Sequence, residues 1–225
     1  MIELENVSYS YGGGELLSNV SVQLQPGSFH FLTGPSGAGK TTLLKLCYGA
    51  LLASSGRISA FDQDIARLDR DQMALLRRRI GVVHQDCRFL DHMTLAENVA
   101  LPLMVSGRSV ESEQEDLTEL LSWVGLGGRL DALPPELSGG ERQRAALARA
   151  VILSPDVVFA DEPTGNVDWE MSQRLLRLLI ELNHMGKTVV IATHDLSLIR
   201  AAKSQVQARV LRISQRRLQL AGADL

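Results

Sequence analysis

The glycine-rich run GPSGAGKTT at residues 34–42 limits the possible folds of this chain more than any other stretch. An apolar, strand-like segment at residues 29–33 precedes it, and a helical pattern through Leu46 follows it. Glycines let successive backbone N–H groups turn toward one anion, and the positive end of the following helix points at the same place. The sequence therefore predicts a strand, a phosphate-binding loop and a helix in series. The predicted loop residues are Gly34, Pro35, Ser36, Gly37, Ala38, Gly39, Lys40, Thr41 and Thr42.

Two side chains of this loop have the chemistry that nucleotide phosphates require. Lys40 supplies a cation for the β- and γ-phosphates, and the Thr41 hydroxyl supplies an oxygen ligand for Mg²⁺. The alternative interpretation is a glycine-rich turn that binds nothing. At ordinary residue frequencies, a chance match to every defined position in one such chain is on the order of one per cent. That frequency favours the phosphate site.

A pair of acids follows a fully apolar run late in the chain. Residues 157–160 are all apolar and lead directly into Asp161 and Glu162. Ligands of open α/β sheets bind beyond the carboxyl ends of the strands, so we expect this pair beside the phosphate loop. We predict that Asp161 holds Mg²⁺, largely through water, and that Glu162 polarises the water that attacks the γ-phosphate. The alternative is a solvated acidic pair in a loop.

The remaining hydrophobic pattern indicates an α/β fold. Apolar and polar residues alternate on both sides of the glycines at 12–14, which predicts a β-hairpin or a β-meander. The apolar runs at 157–160 and 188–192, with a helical pattern at 169–183 between them, predict parallel strands that are covered on both faces. Pro102 is expected to break a helix.

We expect these elements to form one domain in two parts. A nucleotide-binding core with an antiparallel β part covers residues 1–88 and 154–225, and a helical subdomain covers residues 89–153. A length of 225 residues suits a single domain of this kind.

Composition argues against several other classes of protein. The formal net charge is −3 and the pI is near 6.0, which argues against a strongly basic nucleic-acid-binding protein. No stretch approaches the roughly 20 consecutive apolar residues that cross a bilayer, and the first residues lack the pattern of a signal peptide. Cys47 and Cys87 are isolated, which argues against a zinc site and favours a reducing compartment. We therefore expect a soluble, cytoplasmic protein.

A second glycine-containing motif, LSGGERQ at residues 137–143, opens another predicted helix. Ser138 is suited to cap that helix, and Glu141 to complete a capping box. The same helix N-terminus has backbone donors for a second anion. The motif resembles the signature of the ATP-binding cassette (ABC) ATPases, which are P-loop NTPases. In that family two chains enclose two ATP molecules, which implies a homodimer with Ser138, Gly139, Gly140 and Glu141 acting in trans.

Further positions match motifs of the same family. Tyr11 matches the aromatic residue that stacks on adenine, with Tyr9 as the alternative. The resemblance implies that Gln85 senses Mg²⁺ and the attacking water, and that His194 contacts the γ-phosphate. Asp168, in the sequence GNVD, is implied to reach across the dimer. An ATPase that uses ATP and Mg²⁺ is thus implied, with a catalytic and metal-binding set of Gln85, Glu162, His194, Thr41 and Asp161.

Within the ABC family, several stretches are similar to the ATP-binding proteins of bacterial cell division. These stretches are 81–90, 93–103, 160–168 and 192–200. The resemblance implies an integral membrane partner (FtsX-like), a position on the cytoplasmic face of the inner membrane, and a role in septal peptidoglycan remodelling. ATPases of lipoprotein release and macrolide export are the alternative, because they share the block around ADEPTGN. A soluble ABC protein that acts on nucleic acid is less favoured, because such proteins usually have two cassettes or long insertions.

Three local features complete this interpretation. The apolar residues after Gln85 either receive a helix of the membrane partner or form the core of the helical insertion; they are Phe89, Leu90, Met93, Leu95, Leu101 and Leu103. His84 stands where the family commonly has Phe, and Val167 where Leu is frequent. The arginines at 77–79 are expected to form a solvated helix end rather than a patch for lipid phosphates.

Overall fold

The computed structural model describes residues 1–165 and 167–220, which contain ten strands and seven α-helices. The strands are β1 (Ile2–Ser10), β2 (Glu15–Leu24), β3 (Phe29–Thr33), β4 (Ser55–Ala60), β5 (Gln63–Asp64), β6 (Ile80–Val83), β7 (Val157–Asp161), β8 (Thr188–Ala192), β9 (Ala208–Ser214) and β10 (Arg217–Leu220). The helices are α1 (Lys40–Cys47), α2 (Arg70–Arg78), α3 (Leu95–Ser106), α4 (Gln114–Trp123), α5 (Gly139–Val151), α6 (Trp169–His184) and α7 (Leu196–Lys203).

The N-terminal strands form an antiparallel sheet in the order β2–β1–β4–β5. The hairpin predicted around the glycines at 12–14 is confirmed, with Ile2 opposite Leu24 at its open end. Ile2 and Leu4, two residues apart, are buried on one face of β1, and a register shift between Leu4 and Val7 allows Val7 to be buried as well. This sheet is the predicted antiparallel part of the fold.

The second sheet has the order β10–β9–β3–β8–β7–β6. Its five strands from β9 to β6 are parallel, and β10 pairs antiparallel with β9. Every residue of β3, β7 and β8 is buried, which confirms the prediction of parallel strands covered on both faces. The carboxyl ends of these three neighbouring strands therefore lie side by side at one edge of the sheet.

The two faces of the parallel sheet contact different layers. Val158 and Ile191 belong to a hydrophobic cluster that includes side chains of α3, α4, α5 and α6. Phe159 and Val190, each one residue away along its strand, belong to a second cluster with the hairpin sheet and α1. The sheet is thus the middle layer, which confirms the expected α/β class.

The helices α3, α4 and α5 lie within the predicted helical subdomain at 89–153. Their buried side chains join the same cluster as one sheet face, and the division of the chain into two parts stays a prediction. In residues 1–165 and 167–220, no helix is long and apolar enough to cross a membrane.

The expected break at Pro102 is wrong, because α3 continues through it to Ser106. Proline removes the N–H that would bond to the carbonyl of Asn98. The helix continues because Val99 and Leu103, on either side of the proline, are fully buried in the core. A capping box of Thr94 and Glu97 also fixes the start of α3.

The central strand β3 contains a buried histidine. Nε2 of His30 lies 2.8 Å from Oγ of Ser28, and Nδ1 has no hydrogen-bond partner among the described residues. Burial lowers the pKa of His30 to about 4, and the charge of Arg209 adds to the shift. The folded chain therefore holds this imidazole neutral.

This depressed pKa predicts a loss of stability in mild acid. Between about pH 6.5 and pH 4, the imidazole of His30 is protonated in the unfolded chain but not in the folded chain. Neutral His30 therefore contributes its full stability above about pH 6.5, and this stability is lost as the pH falls. Between pH 7 and pH 5 we expect the free energy of unfolding to fall by about 2 kcal/mol more than it does in His30→Val. Urea unfolding at both pH values measures this. The exposed-site control His184→Asn should follow the native chain, and an equal pH dependence in His30→Val would refute the prediction.

Candidate active site

Five separate segments meet in one cleft at the carboxyl ends of β3, β7 and β8. The cleft has a volume of about 650 Å³. Its lining residues are Leu16, Ser36, Gly37, Gly39, Lys40, Thr41, Thr42, Gln85, Glu162, Gly165 and His194. The structure therefore brings the predicted phosphate loop together with Gln85, Glu162 and His194, which are far apart in the sequence.

The phosphate loop ends in a helix N-terminus that has no side-chain cap. Gly39 occupies the N-cap position of α1, and the first turn of α1 contains no acidic residue. By contrast, α2, α3, α5, α6 and α7 each have a side chain that accepts from a first-turn N–H. The N–H groups that open α1 are thus available to an external anion, and the positive end of the helix favours one.

Two glycines of the loop are required by backbone geometry and close packing. Gly34 has a φ of +150°, and a Cβ at this position would lie 2.8 Å from the carbonyl oxygen of Ile213. Gly39 has a φ of +102°, and a Cβ there would lie 3.1 Å from Cδ2 of Leu17. Any other residue at either position would be strained.

Lys40 is buried, and three oxygen atoms surround its ammonium group. Nζ donates to the carbonyl oxygens of Gly34 at 3.1 Å and Pro35 at 3.5 Å. It also lies 3.4 Å from Oε1 of Glu162. Because both side chains of this ion pair are largely buried, each charge compensates the other where water is scarce. A phosphate entering the loop competes with Glu162 for this cation.

Glu162 adopts an unusual backbone conformation immediately after β7. Its φ is 46°, in the left-handed region that non-glycine residues rarely occupy. Its N–H donates to the carbonyl of Ala192 at 2.8 Å, which holds the turn against β8. Nδ1 of His194 lies 3.1 and 3.0 Å from the two carboxylate oxygens of Glu162. Strained residues of this kind cluster at functional sites, and this one presents a carboxylate to both Lys40 and His194.

Asp161 has the features of a cation ligand. The pKa of its carboxyl is raised, mainly by burial. A hydrogen bond from Thr41 opposes this shift, and the negative charge of Glu162 adds to it. Its Oδ1 is buried and has no hydrogen-bond partner within the described residues. A buried carboxylate oxygen without a partner is costly. Oδ1 of Asp161, the hydroxyl of Thr41 and the amide oxygen of Gln85 form a set of oxygen donors that fits a hard cation such as Mg²⁺.

The two candidate tyrosines differ in exposure. Tyr9 is only 9% exposed and belongs to the core, whereas Tyr11 is 62% exposed. The hydroxyl of Tyr11 lies 3.2 Å from Oγ1 of Thr42, so Tyr11 sits at the end of the phosphate loop. The two rings meet edge to face, with centroids 4.8 Å apart. The structure thus leaves Tyr11 as the accessible aromatic residue beside the cleft.

The residues of the second glycine motif do not line this cleft. Oγ of Ser138 accepts from the N–H of Glu141 at 3.3 Å, and Oε2 of Glu141 accepts from the N–H of Ser138 at 2.9 Å. The N–H and the hydroxyl of Ser138 both donate to Oε2 of Glu141, and these two hydrogen bonds lower the pKa of the Glu141 carboxyl. Ser138 and Gly139 are exposed, as is Asp168, which caps α6. Both capped helix ends therefore lie outside the cleft of their own chain.

The sequence-based predictions missed two residues of the cleft. Leu16 comes from β2, and the packing of the hairpin sheet against the loop brings it near Gly39. Gly165 belongs to the GNVD motif, and its N–H donates to the carbonyl of Glu162 at 3.1 Å. Its spacing of three residues from Glu162 was a usable signal, whereas Leu16 had none. Asn166 of the same motif lies outside the described residues.

The chain is similar to known proteins over most of its length. Residues 17–165 match the model of the ABC transporter family. The chain is 46% identical to the cell division ATP-binding protein FtsE of Escherichia coli (strain K12) over 200 residues, which are 88% of this chain and 90% of the relative. It is 40% identical to FtsE of Bacillus subtilis (strain 168) over 209 residues, which are 92% of each chain.

The fold is also similar to solved structures of an ATP-binding cassette. The dimeric, post-hydrolysis structure of MJ0796 bound to ADP and Pi has a TM-score of 0.86 and 31% sequence identity, and the match covers 99% of this chain and 100% of that one. A second dimeric structure of MJ0796 has a TM-score of 0.85 and 32% identity, with 97% of each chain covered. The chain therefore belongs to the ABC transporter family, as an ATP-binding cassette that hydrolyses ATP.

Proposed function

We propose that this chain hydrolyses ATP as a homodimer and that the cycle drives a membrane partner in bacterial cell division. The observation that carries the mechanism is the group formed by Lys40, Glu162 and His194 beside the uncapped N-terminus of α1. This group joins an anion site to a carboxylate that is positioned to act on water.

ATP binds with its phosphates on residues 34–42 and its adenine ring on Tyr11. The phosphates carry more negative charge than one carboxylate, so they attract Lys40 away from Glu162. The released carboxylate of Glu162 then polarises the attacking water as general base. His194, which contacts Glu162, turns to the γ-phosphate.

We assign a Mg²⁺ site to Thr41, Gln85 and Asp161. The partner-free Oδ1 of Asp161 supports this assignment, because a cation or its water would satisfy it. When bound, the ion neutralises charge on the phosphate oxygens during transfer. Gln85 lines the cleft together with Thr41 and Glu162.

A second copy of the chain completes each site. Ser138, Gly139, Gly140 and Glu141 open α5 outside their own cleft, and Asp168 opens α6, also outside it. The hydroxyl of Ser138 and the N–H groups of Gly139 and Gly140 suit the γ-phosphate held by a partner copy. The dimeric state of both solved relatives supports this arrangement. ATP binding then joins two copies, and hydrolysis releases them.

A groove between α2, α3 and α5 supports a membrane partner. Its volume is about 570 Å³, and its walls include Pro102, Val105 and Arg149. Val105 is 81% exposed and the adjacent Met104 is 54% exposed, which is unusual for apolar side chains on a helix without a partner. Exposed apolar patches of this type mark interaction sites, so we assign the groove to a segment of the membrane partner.

The apolar residues that follow Gln85 were expected either to contact a helix of the membrane partner or to form the core of the helical insertion, and the structure places some of them in the core and some at the surface. Leu95 and Leu103 are fully buried and belong to the core, whereas Leu90 is exposed. The arginines at 77–79 are exposed at the end of α2, as expected for a solvated helix end. Two of them also serve the fold, because Arg77 donates to the carbonyl of Gly49 and Arg79 pairs with Asp156.

Similarity to the FtsE proteins supports the cell-division role, with an FtsX-like partner and a position on the cytoplasmic face of the inner membrane. An exporter of lipoproteins or macrolides is not favoured, because the named relatives across several bacteria are cell-division proteins. No nucleic acid is assigned as a partner.

Replacing Glu162 with Gln tests the assigned base. We expect Glu162→Gln to bind ATP but to hydrolyse it roughly 10²-fold or more slowly, because the neutral amide does not accept the proton of water. The variant should accumulate as an ATP-bound dimer. Phosphate release and analytical ultracentrifugation measure the two effects, with the exposed Glu119→Gln as the matched control. Hydrolysis at the native rate in Glu162→Gln would refute the assignment.

Two variants of Ser138 separate its cap from its role in trans. Ser138→Ala loses the N-cap and should cost about 1 kcal/mol of stability. Ser138→Asp keeps a capping oxygen for the N–H of Glu141 but loses the hydroxyl that donates to Oε2 of Glu141 at 2.8 Å, so it should cost about as much stability as Ser138→Ala, while its charge repels the partner's γ-phosphate. We therefore expect Ser138→Asp to fold normally and to stay monomeric with ATP. Chemical denaturation and sedimentation check this pair, and normal ATP-driven dimerisation of Ser138→Asp would contradict the proposal.

Val105→Glu tests the groove and the partner together. A charge on this exposed position should abolish co-purification with the membrane partner and leave ATP binding unchanged, because Val105 lies outside the nucleotide cleft. Met185→Glu, at an equally apolar exposed site outside this groove, is the control and should co-purify normally. Co-purification of the native chain with a partner for lipoprotein extraction would overturn the cell-division role.

A further inference from the structure

Gly140, in the first turn of α5, lies directly beneath a side chain of α6. A Cβ at Gly140 would lie 2.8 Å from Cγ, 2.9 Å from Cε and 3.1 Å from Sδ of Met171. Gly140 is buried, and it is not among the glycines with positive φ, so its backbone conformation does not require glycine. The close approach of Met171 is therefore what excludes a larger residue at this position.

The same methionine also holds Asp168 through its backbone. The N–H of Met171 donates to Oδ1 of Asp168 at 2.8 Å. Oγ of Ser172, the next residue, donates to the carbonyl oxygen of Asp168 at 2.9 Å. The start of α6 thus fixes both the carboxylate and the backbone of Asp168. Residue 171 contacts the glycine motif through its side chain and Asp168 through its main chain.

We infer that Met171 is a positioning residue that sets the placement of Gly140 and Asp168 relative to each other. In the proposed dimer, Gly140 and Asp168 of one chain complete the ATP site of the other chain, so the inference rests on the proposed function. An unbranched thioether suits this place, because it fills the space over a glycine without a branched carbon at Cβ. Loss of the side chain lets α5 and α6 shift, and small shifts of catalytic parts cost rate.

Mixed dimers test whether Met171 acts on its own chain's site or on the partner's. One chain carries Glu162→Gln and is present in large excess, so each hydrolysing chain pairs with an inactive one. Met171→Ala is placed either on the inactive chain or on the hydrolysing chain. The readout is the single-turnover rate of phosphate release per hydrolysing chain at saturating ATP and Mg²⁺.

We expect the rate to fall roughly tenfold when Met171→Ala is on the inactive chain, because Gly140 and Asp168 of that chain complete the hydrolysing site and are then displaced. We expect a rate close to that of the reference pair when Met171→Ala is on the hydrolysing chain. Met171→Leu, which keeps the volume, should restore most of the rate in the first arrangement. Met185→Ala, a methionine at the other end of α6, should change neither arrangement.

The outcomes separate this inference from the proposal beneath it. Ser138→Asp on the inactive chain is the reference for action in trans. If Ser138→Asp slows hydrolysis and Met171→Ala does not, or if Met171→Ala acts equally in both arrangements, the inference is wrong. If Ser138→Asp has no effect from the inactive chain, the sharing of sites between two copies is wrong instead. Denaturant unfolding of Met171→Ala confirms that the variant is folded before either rate is compared.

Discussion

The uncapped N-terminus of α1, at the end of the buried strand β3, is the constraint on which the rest of the site depends. Its N–H groups and the nearby Lys40 place positive charge at the carboxyl edge of the sheet. In this structure, Glu162 balances part of that charge through its contact with Lys40, and His194 contacts the same carboxylate. In the proposed mechanism, a phosphate at the loop takes over this balancing role, which couples ATP binding to the release of the general base.

The N-termini of α5 and α6 differ from that of α1 because each has a side-chain cap. The ends of α5 and α6 are closed by Ser138 and Asp168, so each keeps its shape without a ligand. Both ends are exposed and lie outside their own cleft. The chain thus has an uncapped helix end inside the cleft and two capped helix ends outside it.

The sequence predicted the parts of this fold that local chemistry determines. The strand β8, Thr188–Ala192, has the predicted bounds, because an uninterrupted apolar run suits a strand that is covered on both faces. The phosphate loop was predictable because its glycines meet backbone requirements that few residues satisfy, as the φ of Gly39 illustrates. The helix cap at Ser138 followed from residue types and spacing alone.

Tertiary contacts account for what the sequence did not reveal. The hairpin of β9 and β10 had no prediction, and it is fastened by the N–H of Ser18, which donates to the carbonyl of Arg216 at 2.8 Å from a distant part of the chain. Core packing overrode the expected helix break at Pro102. Leu16 reached the cleft through the packing of one sheet on another. The pairing of Glu162 with Lys40 likewise needed the spatial order of β3, β8 and β7.

The most direct test of the account is the rate of ATP hydrolysis per chain as a function of total chain concentration, at saturating ATP and Mg²⁺. Because each site is completed by a second copy, the rate per chain should rise with concentration and level off where sedimentation reports a dimer. A constant rate per chain across dilution into a fully monomeric range would contradict the account, because one copy would then hold a complete site.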